Sequence, residues 1–191
     1  MDVKVIKEAG YEEALRGIGL SYNITDMERL KKVACTLAPK DGGHNKFIES
    51  MVVWLEIRAP RYWFQEYDTY RVGTSKQSES TMHTITKGEL TQDNFELPIH
   101  EHTLAYLNTL IREYNLSTES EDKEFLFRTI KNELPEGFLQ TRIVCTNYKV
   151  LRNMVAQRRN HRLREWQIYI NRLRTELQYP KILFGEDINA E

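Results

Sequence analysis

The sequence predicts an α+β fold in a single domain spanning residues 1–191. The chain has 191 residues with 40% hydrophobic content, which suits one buried core. Short apolar or alternating runs of strand length are interspersed with stretches of helical period. They do not alternate as regular βαβ units, and no repeat or Pro/Ser-rich linker divides them, which argues against a doubly wound sheet and against two domains.

The elements follow in order. Val3–Ile6 alternates briefly and reads as a first strand, while Tyr11–Gly19 and Met27–Leu37 have helical spacing, the second with Thr25 and Asp26 as cap candidates. Asp41-Gly42-Gly43 breaks the chain, His44–Ser50 reads as a short helix, and Met51–Ile57 is an apolar, partly β-branched strand closed by Ala59-Pro60. Arg61–Tyr70 fits a helix with a proline at its start, and the polar stretch Gly73–Thr86 reads as a loop. Thr91–Pro98 is ambiguous; His100–Tyr114 and Glu119–Asn132 are helical, with Ser117–Glu121 as a cap region. Arg142–Thr146 alternates like a strand. A helical pattern then runs from Asn147 to about Leu177, with a break near Asn160 and a stop at Pro180. Trp63, Phe64, Trp166, Ile168 and Ile170 read as core or interface residues.

The net charge of −1 and pI near 6.5 exclude a generic polyanion binder. The charge is nevertheless uneven, because residues 142–174 hold nine basic residues against the single acid Glu165, leaving −9 on the remainder. Arg158, Arg162 and Arg172 do not alternate with acids at four-residue spacing along the pattern, so they are expected to call for external anions or an acidic partner surface. No nucleic-acid motif accompanies them, and direct nucleic-acid binding is not expected. Two cysteines, Cys35 and Cys145, form neither a disulfide framework nor a metal-ligand pattern, which fits a reducing compartment. No signal-peptide pattern or bilayer-length apolar run occurs, so the expected location is the cytoplasm. His100 and His102 lack further ligands at useful spacing, and no metal site is expected. Neither a G-x-G-x-x-G nor a G-x-x-x-x-G-K stretch is present.

Several stretches, taken in order, carry a resemblance. His44-Asn45-Lys46-Phe47-Ile48-Glu49 places a His, four residues and a Glu before the strand Met51–Ile57, and Ala59-Pro60 then opens a helix. Thr69-Tyr70-Arg71 is followed by Glu79 and Ser80; Lys131 precedes Leu134-Pro135 by three; a strand leads into Asn147-Tyr148-Lys149-Val150-Leu151, with Asn153 and Arg158-Arg159 beyond. This order resembles the flavin-dependent thymidylate synthases, whose signature is R-H-R, seven residues, S. Here the signature is degenerate. Thr69 and Tyr70 stand at its first arginine and its histidine, Glu79 stands at its serine, and Ser80 matches only with a one-residue insertion.

The resemblance implies a central, mostly antiparallel sheet flanked by helices, and a homotetramer with sites shared between subunits. It implies FAD as cofactor, NADPH and methylenetetrahydrofolate as co-substrates, and a pyrimidine deoxynucleotide, dUMP, as substrate. It assigns Arg71 and Ser80 to catalysis and His44, Lys46, Glu49, Arg71, Val72, Asn147 and Asn153 to the flavin. Glu66, Glu79, Ser80, Lys131 and either Arg158 or Arg159 fall to the nucleotide. Lys131 keeps the charge of the family's phosphate-binding arginine but not its bidentate fork. Thr69 cannot supply the charge of the missing arginine, and a preorganised donor near developing charge is worth on the order of 10²–10³ in rate. Two function classes follow: a divergent flavoenzyme acting at C5 of a pyrimidine deoxynucleotide, and a homologue that binds nucleotide or flavin without turnover, as sensor, sequestering module or scaffold.

Overall fold

The computed structural model describes residues 1–40 and 42–185. Its centre is a four-stranded sheet in the order β1-β2-β4-β3, every neighbouring pair antiparallel. The strands are β1 (Asp2–Ala9), β2 (Val52–Pro60), β3 (Ser75–Ser78) and β4 (Leu139–Asn147). Strand β2 shows why one face is covered: Val53, Leu55, Ile57 and Ala59 are fully buried, while Trp54, Glu56 and Arg58 between them are exposed. The register Val52↔Asn147 through Pro60↔Leu139 puts Val144 opposite Leu55, so both strands present their apolar side to the same helices.

Helices α1 (Tyr11–Tyr22), α2 (Met27–Leu37), α3 (Arg61–Tyr67), α7 (Tyr148–Arg158), α8 (Arg164–Glu176) and α9 (Pro180–Phe184) contribute to the main core on that face. Its centre is aromatic. Trp63 lies 4.9 Å from Tyr67 and 4.9 Å from Trp166, and Tyr67 and Tyr169 are fully buried beside them. Of the five apolar residues read as core or interface, Trp63, Phe64, Trp166 and Ile170 are buried and Ile168 is half-buried. A smaller core, with Leu107, Ile111 and Ile130, forms under the hairpin of α5 (Glu101–Leu116) and α6 (Ser120–Glu133).

Most expected elements are present, with informative differences. Asp26 caps α2, its Oδ1 accepting from Glu28 N at 3.0 Å. The short helix expected after the glycine break is a 3-10 turn at Lys46–Glu49. Gly73–Thr86 is not simply a loop, because Ser75–Ser78 pairs with β4 and Thr81–Thr84 forms the short helix α4. Strand β3 is polar and exposed throughout, so no apolar alternation marked it. The ambiguous Thr91–Pro98 contains a 3-10 turn at Gln92–Asn94 closed by a Thr91/Asn94 capping box. The long C-terminal pattern breaks between Arg158 and Arg164, and Pro180 opens α9 rather than only ending α8.

Three members of the basic band, Arg142, Arg158 and Arg172, meet carboxylates inside the chain, contrary to the reading that Arg158 and Arg172 require external anions. Arg158 pairs with Glu66, and Arg172 faces Asp2 and, one turn along α8, Glu176, each at 3.7 Å. Arg142 bonds Asp68 at 2.8 Å with its guanidinium 3.8 Å from the Phe64 ring centre. Arg159, Arg162 and Arg164 are exposed around the α7–α8 turn.

Candidate functional site

Helix α3 delivers Thr69, Tyr70 and Arg71 into a corner formed by α7 and the turn after α2. The helix stops at Tyr67, and Tyr70 turns inward, 9% exposed, while Arg71 and Val72 point out. Gly73 then sits at φ +72°, where an added Cβ would lie 3.0 Å from Val150 Cγ2 and 3.1 Å from Asn147 Nδ2. Only a glycine lets the loop pass this close to the start of α7. Thr146 Oγ1 donates to Gly73 O at 3.4 Å, tying the loop to the end of β4.

Between these elements lies a cleft of about 600 Å³. Thr69, Tyr70 and Val72 line one side, Lys149, Val150, Arg152, Asn153 and Ala156 of α7 the other, with Pro39 and Asn45 closing it. Among the described residues no carboxylate lines it, and two basic side chains do. Lys149 Nζ donates to Asn45 Oδ1, while buried Asn45 spends its Nδ2 on Ala38 O at 3.2 Å. Arg152 donates to Leu183 O at 2.9 Å at the end of α9. A flat aromatic edge, two positive charges and amide donors suit an anionic ligand with a planar ring.

A hydrogen-bond chain runs from this wall to the back of Tyr70. Gln157 Nε2 donates to Asn153 Oδ1 at 3.0 Å, Tyr70 Oη donates to Gln157 Oε1 at 2.8 Å, and Arg158 Nε donates to Tyr70 Oη at 2.9 Å. Arg158 Nη1 continues to Glu66 Oε2 at 3.0 Å, and the same oxygen accepts from Trp166 Nε1 at 2.9 Å and lies 3.2 Å from His161 Nε2. The Glu66 charge therefore meets an arginine of its own chain.

A second patch joins the α6 C-terminus to α4. Lys131 donates to Thr81 Oγ1, and burial first, then the nearby Arg61 charge, lower its pKa from the usual lysine range. Arg61 itself pairs with Glu136 at 3.0 Å. The Ser80 carbonyl accepts from Thr84 Oγ1 at 2.9 Å, and Glu79 extends the ladder beyond β3 through Thr141, to which its backbone N–H donates at 2.8 Å.

The residues expected at a site thus fall in four places. Val72 and Asn153 line the cleft; Arg71, between lining residues Tyr70 and Val72, is exposed and makes no hydrogen bond or ion pair by its side chain among the described residues; Asn147 caps α7, its Oδ1 accepting from Val150 N at 3.0 Å. Glu66 and Arg158 form the cluster behind Tyr70; Arg159 is exposed beside it, its carbonyl accepting from Gln167 at 2.9 Å. Ser80, Glu79 and Lys131 belong to the second patch. His44 and Lys46 line another groove, with Glu13, Gly17 and Tyr22 of α1, and Glu49 is exposed at the end of the 3-10 turn; within one chain they do not line the Tyr70 cleft. Sequence reasoning does not reach Gln157 and His161; Asn45 and Lys149 enter it only within motifs, and Arg152 only within the basic band. The spacing 149, 152, 153, 156 along one helix face was the available trace.

Solved structures resemble this architecture over its whole length. One, a flavin-dependent thymidylate synthase from Helicobacter pylori complexed with FAD and dUMP, has a TM-score of 0.75 and 16% identity, with 98% of this chain and 99% of that chain covered. Another structure of the Helicobacter pylori enzyme with FAD and dUMP has a TM-score of 0.75, 18% identity and full coverage of both chains. The fold is that of a flavin-dependent thymidylate synthase. No family model and no curated protein matches the sequence itself. At such identity the thymidylate synthase likeness concerns the backbone, and the side chains named above are this chain's own. No described helix is long and apolar enough to cross a membrane, and no cluster of three or more His, Cys, Asp or Glu suited to a metal occurs among the described residues.

Proposed function

We propose that the chain is a divergent flavin-dependent thymidylate synthase-like protein that binds FAD and a pyrimidine deoxynucleotide in and beside the Tyr70 cleft. The observation that carries this is the cleft's composition, with Lys149, Arg152 and Asn153 on one helix face and no carboxylate lining it among the described residues, within a fold whose solved neighbours hold FAD and dUMP. The residues fit the cofactor's chemistry: Lys149 offers charge to a diphosphate, Asn153 Nδ2 has no partner among the described residues, and Tyr70 presents a ring edge. FAD, once bound, supplies hydride and one-carbon transfer chemistry, with NADPH and methylenetetrahydrofolate as co-substrates and dUMP or a related pyrimidine as acceptor. Arg71 at the rim is the positive donor best placed to polarise the pyrimidine, Ser80 and Lys131 serve its ribose phosphate, and a homotetramer brings His44, Lys46 and Glu49 of one subunit to the cleft of another. The location is cytoplasmic.

One feature favours a second reading, binding without turnover: Arg158 is engaged by Glu66, and Thr69 stands uncharged at the rim, its hydroxyl donating to Glu66 O at 2.7 Å. Purified protein with a flavin absorbance spectrum, or stabilised by added FAD, supports the flavin site. Colourless protein indifferent to FAD refutes it. Rescue of a thymidine-requiring host, lost with Arg71→Ala, separates enzyme from binder.

A further inference from the structure

We propose that Glu66 sets the anion affinity of this site, acting as an internal counter-ion to Arg158 with which any ligand phosphate must compete. The ligand's identity rests on the nucleotide reading above; the competition rests on geometry. Arg158 spends Nε on Tyr70 at 2.9 Å and Nη1 on Glu66 at 3.0 Å, leaving only Nη2 without a partner among the described residues. A bidentate grip on phosphate requires two parallel N–H donors, and the Glu66 contact removes one. Trp166 Nε1 at 2.9 Å and His161 Nε2 at 3.2 Å meet the same carboxylate oxygen, so Glu66 is held in place rather than swinging free.

The pair is also reachable. Arg158 and Glu66 side chains are 20% and 33% exposed, and Arg158 touches Tyr70, which lines the cleft. An anion arriving there meets a neutral Arg158–Glu66 pair instead of a lone cation. Glu66→Gln keeps the volume and the acceptor oxygen for Arg158 and Trp166 while deleting the negative charge. Glu66 is therefore a positioning and affinity-setting residue that acts through Arg158.

The test compares wild type, Glu66→Gln, Arg158→Ala and the double variant by calorimetric titration with dUMP, and by inorganic phosphate titration followed through tryptophan fluorescence, since Trp166 donates to Glu66. Glu66→Gln is expected to tighten both anions about tenfold, as removal of one charge a few ångströms away in a partly solvated site predicts. The gain is expected to vanish in the Arg158→Ala background. Unchanged or weaker phosphate binding by folded Glu66→Gln, or a gain that survives without Arg158, overturns the proposal; Glu66→Ala is the second variant should Glu66→Gln fail to fold. If Glu66→Gln gains phosphate while no variant binds dUMP, the nucleotide reading fails and the counter-ion role stands.

Discussion

Gly73→Ala probes the joint on which the cleft depends. At φ +72° an alanine carries a left-handed backbone penalty of about 1 kcal/mol. Its Cβ also presses on Val150 Cγ2 at 3.0 Å and Asn147 Nδ2 at 3.1 Å, and Asn147 caps α7 through Val150 N at 3.0 Å. If the amide turns away to relieve the contact, the cap is lost at a further cost of about 1 kcal/mol. The expected destabilisation is about 1–2 kcal/mol, read as a lower urea midpoint with an unchanged slope. Gly88→Ala is the control, because its added Cβ meets nothing within 4 Å and its φ is not left-handed, so it should be neutral or slightly stabilising. Combining Gly73→Ala with Asn147→Ala should cost less than the two changes summed, since both remove the same cap. Equal midpoints for Gly73→Ala and Gly88→Ala would refute the claim that this turn is held against α7.

Other consequences can be measured in the same way. Tyr70→Phe deletes the hydroxyl between Arg158 and Gln157 and should lower stability by about 1–2 kcal/mol in urea, whereas a purely surface role predicts no change. Arg142→Ala removes a side chain 12% exposed, its bond to Asp68 and its stacking on Phe64; about 2–3 kcal/mol is expected, against near zero for exposed Arg164→Ala. Burial raises the pKa of Tyr62, Tyr67, Tyr148 and Tyr169 above the usual 10.0, and that of Tyr11 to about 12. Their protonated form is favoured in the folded state, so this stability is complete below pH 10 and is lost as pH rises toward and through the folded values. Melting temperature should therefore fall above pH 10, with tyrosinate absorbance appearing together with loss of the circular dichroism signal; early titration of these five phenols in folded protein would contradict it.

Legibility from sequence followed burial. The period of Met27–Leu37 marked α2 to the residue because a core face and an aspartate cap both left their pattern in the chain. Strand β3 was missed because an exposed polar edge strand has no apolar alternation and owes its shape to β4. The Arg172–Glu176 pair, four residues apart on one helix, lies within reach of a spacing argument; the Arg158–Glu66 pair, 92 residues apart in sequence, does not. Likewise, the resemblance could name Asn153 and Val72 as site residues without showing that Asn45 and Lys149 close the same cleft.

By itself the sequence determined the α+β class, most of the helix and strand positions in the core, the charge imbalance of residues 142–174, and a likeness to the flavin-dependent synthases. Periodicity and spacing are local properties, and a single chain carries them openly. Tertiary structure alone decided which charges answer one another, that the Tyr70 hydroxyl is held between Gln157 and Arg158, and that Glu66 is matched by Arg158. Those outcomes depend on α3, α7 and α8 meeting on one face of the sheet, and contacts across such distances in sequence are set by packing, not by any local pattern.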